Sequence, residues 1–180
     1  MTSVVFTTFI FKGGRFRRGG ELVQIEKIMS TQRLSPLEGF IQMRVGERDV
    51  FHRDLWDTLD FLWPMYLQIA VDLLEGRTAE VHLPDKNRVA IAVRPVGTGP
   101  MVTLSVEPPA SEADLAVVVT MRREDLLEAI LRDSDIFFKK MKQVAHPRDI
   151  PGYEAHAMWR REIEEKLQAT RSKPSRRNAR

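Results

Sequence analysis

Cysteine is absent from this chain of 180 residues, and its absence excludes several kinds of chemistry. Without a thiol the protein cannot form a disulfide, use a thiolate nucleophile or build a zinc site with cysteine ligands. The N-terminal segment, residues 1–14, has no basic residue ahead of its apolar stretch, which a secretory signal peptide requires. We therefore expect a protein that stays in the cytoplasm.

Long apolar runs are also missing. The longest uncharged run in the most apolar segment, Phe61 to Val71, has 11 residues, whereas a membrane-spanning helix needs about 20. The overall composition, 43% hydrophobic and 29% charged residues, is that of a globular protein. A domain of about 150 residues buries roughly 68–70% of the surface of its unfolded chain, so we expect a substantial core.

Metal-binding patterns are not found. The four histidines do not occur at HxxxH or HExxH spacing, and we interpret all of them as surface or half-buried structural residues: His52, His82, His146 and His156. The triplet Asp133, Ser134 and Asp135 lies within a predicted helix, where carboxylates two residues apart diverge and chelate poorly. We predict neither a metal site nor a cofactor.

Catalytic and nucleotide-binding motifs are lacking as well. GxSxG, GxxxxGK[ST] and GxGxxG do not occur, and Gly97–Gly99 is typical of a hairpin turn. The string HRDL at 52–55 also opens the catalytic loop of protein kinases, but Leu59 stands where that loop requires asparagine. We interpret Asp54 instead as the N-cap of a helix. No set of nucleophile, base and oxyanion donor can be assembled, so we predict that the protein is not an enzyme.

The most apolar segment, Asp54 to Gly76, predicts a nearly buried helix. Apolar residues recur at steps of three and four, and the polar positions share one narrow stripe: Asp57, Gln68, Asp72 and Glu75. Pro64 lies on the same stripe, where a carbonyl released by the proline can be hydrated. The pattern allows one kinked helix or two helices that meet at Pro64.

Strand patterns precede this helix. Residues 4–11 are rich in β-branched and aromatic residues and are apolar on both faces, which indicates a central or covered strand. Residues 21–29 suit either a strand or a helix, and we favour a strand because the Gly-Gly pairs around RFRR indicate a hairpin. A loop is expected over 30–39 and a further strand at 40–45, after which GERD turns the chain and residues 50–51 lead into the helix.

Four more strands are predicted after the helix by alternation of apolar and polar residues, and they begin near Ala79, Val89, Val102 and Leu115. Short turns between them favour an antiparallel meander. The acidic segment 107–114, EPPASEAD, is predicted to be a mobile loop between the last two strands.

Two helices complete the chain. Residues 122–145 keep a period of 3.6 throughout, with acids in the first turn and lysines near the end. Residues 153–170 predict a more charged helix that docks through Trp159, Ile163 and Leu167. We expect a single α+β domain at 1–150, a charged helix at 151–170 and a disordered basic tail at 171–180. The predicted fold is a mainly antiparallel sheet of six or seven strands with two long amphipathic helices packed on it.

Charge is concentrated in the tail. The net charge is +3, and the last ten residues carry +5 without an acid, which leaves residues 1–170 at −2. We identify two basic segments and one acidic segment as candidate binding residues for a partner or nucleic acid: Arg15, Phe16, Arg17, Arg18, Arg176 and Arg177, with Glu107, Glu112 and Asp114.

The function that we expect is that of a non-enzymatic protein-binding module. The strand–helix–meander–helix layout resembles that of small bacterial immunity and accessory proteins, which bind and block a partner. If the acidic segment takes part, the partner surface is basic or mixed in charge. The alternative is a nucleic-acid-associated protein that uses the RFRR tip and the tail, with weak and non-specific binding because the body is net negative. No membrane partner is expected.

Overall fold

The fold was derived from a computed structural model, which describes residues 3–12, 20–28, 37–51, 53–83, 89–144 and 153–172. It is an α+β fold, as predicted, with three α-helices and nine strands in the described part of the chain. The strands form two antiparallel sheets, A and B, rather than one sheet of six or seven strands. The division follows the chain, because the strands that precede the helix at Leu59–Leu74 pair among themselves and the strands that follow it do the same.

Sheet A is built from the N-terminal strands. Its members are β1 (Val4–Phe11), β2 (Leu22–Gln24), β3 (Glu38–Val45), β4 (Arg48–Phe51) and β5 (Asp57–Thr58). The order is β2-β1-β3-β4, with β5 paired to the start of β3, so β1 is interior as expected. Phe9 stands opposite Phe40, and their rings stack with centroids 4.9 Å apart.

The predicted β1–β2 hairpin is confirmed by the antiparallel pairing of Phe9–Phe11 with Leu22–Gln24. The tip with the RFRR sequence lies outside the described residues, as do residues 30–36 of the expected loop. The strand interpretation of 21–29 holds only for β2, because a 3-10 turn follows at Ile25–Lys27. Ile25 in this turn is 1% exposed, so burial of its side chain accompanies the end of the strand.

Sheet B is the predicted meander. Its strands are β6 (Ala79–His82), β7 (Ala90–Pro95), β8 (Met101–Glu107) and β9 (Val117–Arg122), and they pair in chain order. Gly97 has φ +58° in the turn between β7 and β8, a conformation that glycine adopts without steric cost. The strands' alternating apolar residues face the core, including Ile91, Val93 and Leu104.

Helix α1 spans Leu59–Leu74 and is a single helix that contains Pro64. It begins five residues later than predicted, because a 3-10 turn (Arg53–Leu55) and β5 come first. Asp54 is therefore not its N-cap. Thr58 holds that position without a side-chain capping bond, and the N–H of Leu59 donates to the carbonyl oxygen of Leu37 at 2.8 Å. A neighbouring segment thus satisfies a free N–H group of the first turn.

Helices α2 (Arg123–Val144) and α3 (Tyr153–Ser172) agree with the predicted segments within two residues. Helix α1 contacts β3, β6 and β7, whereas α2 contacts β1 and β9, so both helices touch both sheets. One hydrophobic cluster joins residues of both sheets and all three helices. Ile163 and Leu167 of α3 are buried and Trp159 is half-buried against the cluster, as predicted. None of the helices in the described ranges is long and apolar enough to span a membrane.

Candidate binding groove between the last two helices

The structure does not bring the sequence-predicted binding residues together. Residues 15–18 and 176–177 lie outside the described part of the chain. Glu107 is at the end of β8 and accepts hydrogen bonds from Arg94 Nη1 and Ser105 Oγ, each at 2.6 Å. The hydrogen bond from Arg94 also holds the pKa of the Glu107 carboxyl below its ordinary value. This glutamate is thus already engaged within sheet B.

The rest of the acidic segment is folded rather than extended. Ala110–Leu115 forms a 3-10 helix whose Leu115 is buried in the core. Glu112 is half-buried and Asp114 is exposed. Two of the three acids, Glu107 and Asp114, are therefore exposed, but Glu107 is paired with Arg94 and Leu115 anchors the segment in the core.

A groove lies between α2 and α3. The two helices run antiparallel: Phe138 of α2 contacts Tyr153 near the start of α3, and Asp135, further back along α2, pairs with Arg160, further forward along α3. Two adjoining cavities of about 490 Å³ and 300 Å³ share Asp135 and Arg160 as lining residues.

Helical periodicity places the lining side chains. On α3, His156, Arg160 and Glu164 follow one another at steps of four and line one side of the groove. On α2, Arg132 and Asp135 line the other side at a step of three. Charges of opposite sign therefore alternate along both walls.

Asp135 is the electrostatic centre of the groove. Its carboxylate pairs with Arg160 across the groove and with Lys139, one turn later on α2, at 2.6 Å. Arg160 donates from Nε to Glu164 at 2.9 Å, and this bond, with the charge of Asp135, raises the pKa of the guanidinium. These ion pairs connect α3 to α2 at the groove.

The larger cavity has an apolar floor. Leu131 and Leu167 are each 8% exposed and lie at its base, while Ile136 on the α2 wall is 39% exposed. The remaining lining is polar and carries both signs of charge: Glu128, Arg132, Asp135, Arg160, Glu164 and Gln168.

His156 lines the smaller cavity and contradicts our interpretation of it as a surface or half-buried histidine. It is 6% exposed and stacks on Phe138 with ring centroids 3.9 Å apart. Its Nε2 is buried and finds no hydrogen-bond partner among the described residues. Burial, followed by the positive charge of Arg160, lowers the pKa of the imidazole to about 4, so the ring is neutral at pH 7.

A signal for this burial was present in the sequence. His156 precedes Trp159, Ile163 and Leu167 by three, seven and eleven residues, so it belongs to the docking stripe of α3. Of the other histidines, His82 is exposed on β6, and residues 52 and 146 lie outside the described ranges.

The acidic triplet of α2 has structural roles. Asp133 accepts a hydrogen bond from the backbone N–H of Phe6, and Ser134 Oγ donates to the carbonyl oxygen of Leu131. Asp135 belongs to the groove. Within the described ranges, no three histidine or carboxylate side chains converge as metal ligands would.

Comparison of the chain with protein-family models, curated proteins and solved structures gives no significant match.

Proposed function

We propose that this protein is a non-enzymatic protein-binding module, with an immunity-like or accessory role, and that its partner lies in the groove between α2 and α3. The observation that supports this proposal is the layout of the larger cavity. Leu131 and Leu167 form an apolar floor, and charged side chains surround it. Protein interfaces share this arrangement of an apolar centre within a polar rim.

The charges of the walls define the partner's chemistry. Arginine is enriched at interfaces and often contributes strongly to binding, and the groove contains Arg132, whose side chain is 53% exposed, and Arg160. Carboxylates alternate with these two residues along the walls. A partner segment that fits must carry both signs of charge around an apolar side chain.

Ile136 is the natural anchor contact. It is the most exposed apolar side chain of the lining, and burying it against a partner removes apolar surface from water at about 25 cal/mol per Å². Other exposed apolar side chains provide controls. Val118 is 58% exposed on β9, outside the groove lining.

The proposal can be tested by affinity capture from an extract of the native host after nuclease treatment, with the full chain as bait. We expect a specific protein to be retained by the wild type and by Val118→Glu, and its retention by Ile136→Glu to fall at least tenfold. Circular dichroism of the variants controls for folding. Equal retention by Ile136→Glu, or no retained protein after nuclease treatment, would refute a partner site in this groove.

A further inference from the structure

The smaller cavity, of about 300 Å³, differs from the larger one in its lining. Aromatic rings form much of its lining, since Phe138 packs edge-on against Tyr153 with ring centroids 6.2 Å apart and stacks on His156. The volume corresponds to a small organic group rather than a single water molecule, whose share of liquid volume is about 30 Å³.

Two polar groups in this cavity are not engaged by acids in the described part of the chain. The Lys142 ammonium lies 4.8 Å from the centroid of the Tyr153 ring, and no described carboxylate lies within ion-pair distance of it. His156 contributes the second group, because its buried Nε2 has no described partner. A buried polar atom without a partner is costly, so a ligand that bonds to Nε2 recovers this cost.

The surrounding charges favour a monoanion. Lys139, Lys142 and Arg160 stand against the carboxylates of Asp135 and Glu164, so three cations face two anions around a neutral imidazole. Asp135 and Glu164 are held by Arg160 and Lys139, which leaves Lys142 as the uncompensated charge. A dianion would bring a second negative charge close to Asp135.

From this geometry we propose that the cavity binds the carboxylate of a small aromatic acid, with the Lys142 ammonium and the His156 Nε2–H as its two donors. The ring of the ligand packs against Phe138 and Tyr153 in an offset or edge-on arrangement. The acid is either a free metabolite-sized molecule or an aromatic residue at a chain terminus, which carries the same carboxylate. The site does not depend on the protein partner proposed above.

The experiment is a titration of the full chain with benzoate and, separately, with benzamide, at constant ionic strength and pH 7. The readout is the side-chain 15N resonances of His156. A parallel pair, N-acetyl-phenylalanine and N-acetyl-phenylalaninamide, separates a chain terminus from a free acid. We expect saturable shifts with at least one of the two acids, with Kd on the order of 1 mM, and no saturation with either amide.

Substitution of the donors completes the test. Lys142→Gln should weaken binding of the acid about tenfold, because it removes a charge-assisted hydrogen bond. Lys140→Gln changes a lysine of the same helix outside the cavity lining and should leave binding unchanged. Lys142 is exposed, so its replacement should not disturb folding. Equal binding of acid and amide, binding of neither, or an unchanged Kd in Lys142→Gln would each overturn the proposal.

Discussion

The backbone N–H of Phe6 donates a hydrogen bond of 2.8 Å to Oδ2 of Asp133, a residue 127 positions later in the chain. Next to this bond, Arg132 Nη2 donates to the carbonyl oxygen of Val4 at 3.1 Å. Strand β2 pairs only with Phe9–Phe11 of β1, and no other strand in the described ranges pairs with the first half of that edge. The Arg132–Asp133 pair of α2 therefore satisfies backbone groups that a longer β2 would otherwise satisfy.

Asp133→Ala should destabilise the fold by about 1–3 kcal/mol, because it leaves the buried Phe6 N–H without an acceptor. Asp133→Asn keeps an oxygen acceptor and should cost less. Equilibrium unfolding in urea measures both changes. Asp114→Ala removes an exposed carboxylate and serves as the control. If Asp133→Ala lowered the free energy of unfolding no more than Asp114→Ala, the hydrogen bond to β1 would make no measurable contribution to stability.

Leu62→Ala or Leu67→Ala should lower the free energy of unfolding by about 2–5 kcal/mol, because both leucines of α1 are at most 1% exposed and their truncation leaves cavities. Gln68→Ala is the control on the same helix. It loses only a partly buried hydrogen bond of 3.3 Å to Asp72 and should cost about 1 kcal/mol or less. Comparable urea midpoints for the Gln68 and Leu62 variants would show that the facing of α1 is wrong.

Asp60 should make the protein less stable as the pH rises. Its side chain is 5% exposed, and burial raises its pKa from 3.8 to about 6, although a hydrogen bond with the Leu37 backbone acts in the opposite direction. The raised value means that the folded state retains the proton longer than the unfolded state. Its contribution is therefore fully present below pH 3.8 and is lost as the pH rises through 6.

Asp60→Asn keeps an acceptor for Leu37 and cannot ionise, so at pH 7 it should be more stable than the wild type by up to about 3 kcal/mol. The gain should shrink toward pH 4. Urea unfolding of both proteins between pH 4 and pH 8 tests this, with Asp114→Asn as the exposed control. A gain that did not depend on pH would point to a cause other than ionisation.

His156 should act in the opposite direction. Its pKa falls to about 4 from 6.5 because burial and the nearby Arg160 disfavour the imidazolium. The contribution of the neutral ring is present above pH 6.5 and is lost as the pH falls through 4. His156→Phe keeps an aromatic ring against Phe138 and should remove this loss, so its stability relative to the wild type should rise on acidification. The His82→Gln variant, at an exposed position on β6, serves as the control.

Asp60 lowers the stability as the pH rises, whereas His156 lowers it as the pH falls, and the two pH ranges overlap. The wild-type curve of stability against pH should therefore be flatter than the curve of either variant. The informative quantity is the difference between each variant and the wild type at each pH. If the stability differences of Asp60→Asn and His156→Phe from the wild type changed with pH in the same direction, the pH dependence assigned to at least one of the two groups would be wrong.

Periodicity predicted the elements whose burial is one-sided. Apolar residues repeat every two residues in the strands of sheet B and every 3.6 residues in α2. These elements could be predicted because one face of each meets the core and the other meets water. The start of α1 could not be predicted in this way. Asp57 is fully buried and Asp60 nearly so, although the helical pattern placed Asp57 on a solvent stripe. Contacts with β3 and with Leu37 decide their burial, and Leu37 precedes them by about twenty residues.

The candidate groove was not predicted, because it depends on how two helices face each other. Sequence alone showed that α2 and α3 are amphipathic, but the pairing of Asp135 with Arg160 spans 25 residues and a segment with two prolines. Charged residues on such faces are usually solvated, and nothing local marks these two as partners. The buried position of His156, by contrast, follows from its place on the α3 docking stripe and could have been inferred.

The long separation of Phe6 and Asp133 has a consequence for folding during synthesis. A ribosome that adds 5–20 residues per second needs roughly 6–25 s to make the intervening chain. During that interval the edge of β1 beside Val4 and Phe6 has no acceptor from α2, and an open strand edge readily pairs with other chains. Sheet B pairs only with its neighbours in sequence and can form as it emerges. The nascent chain is therefore most exposed to aggregation through its first strand until α2 has left the ribosome.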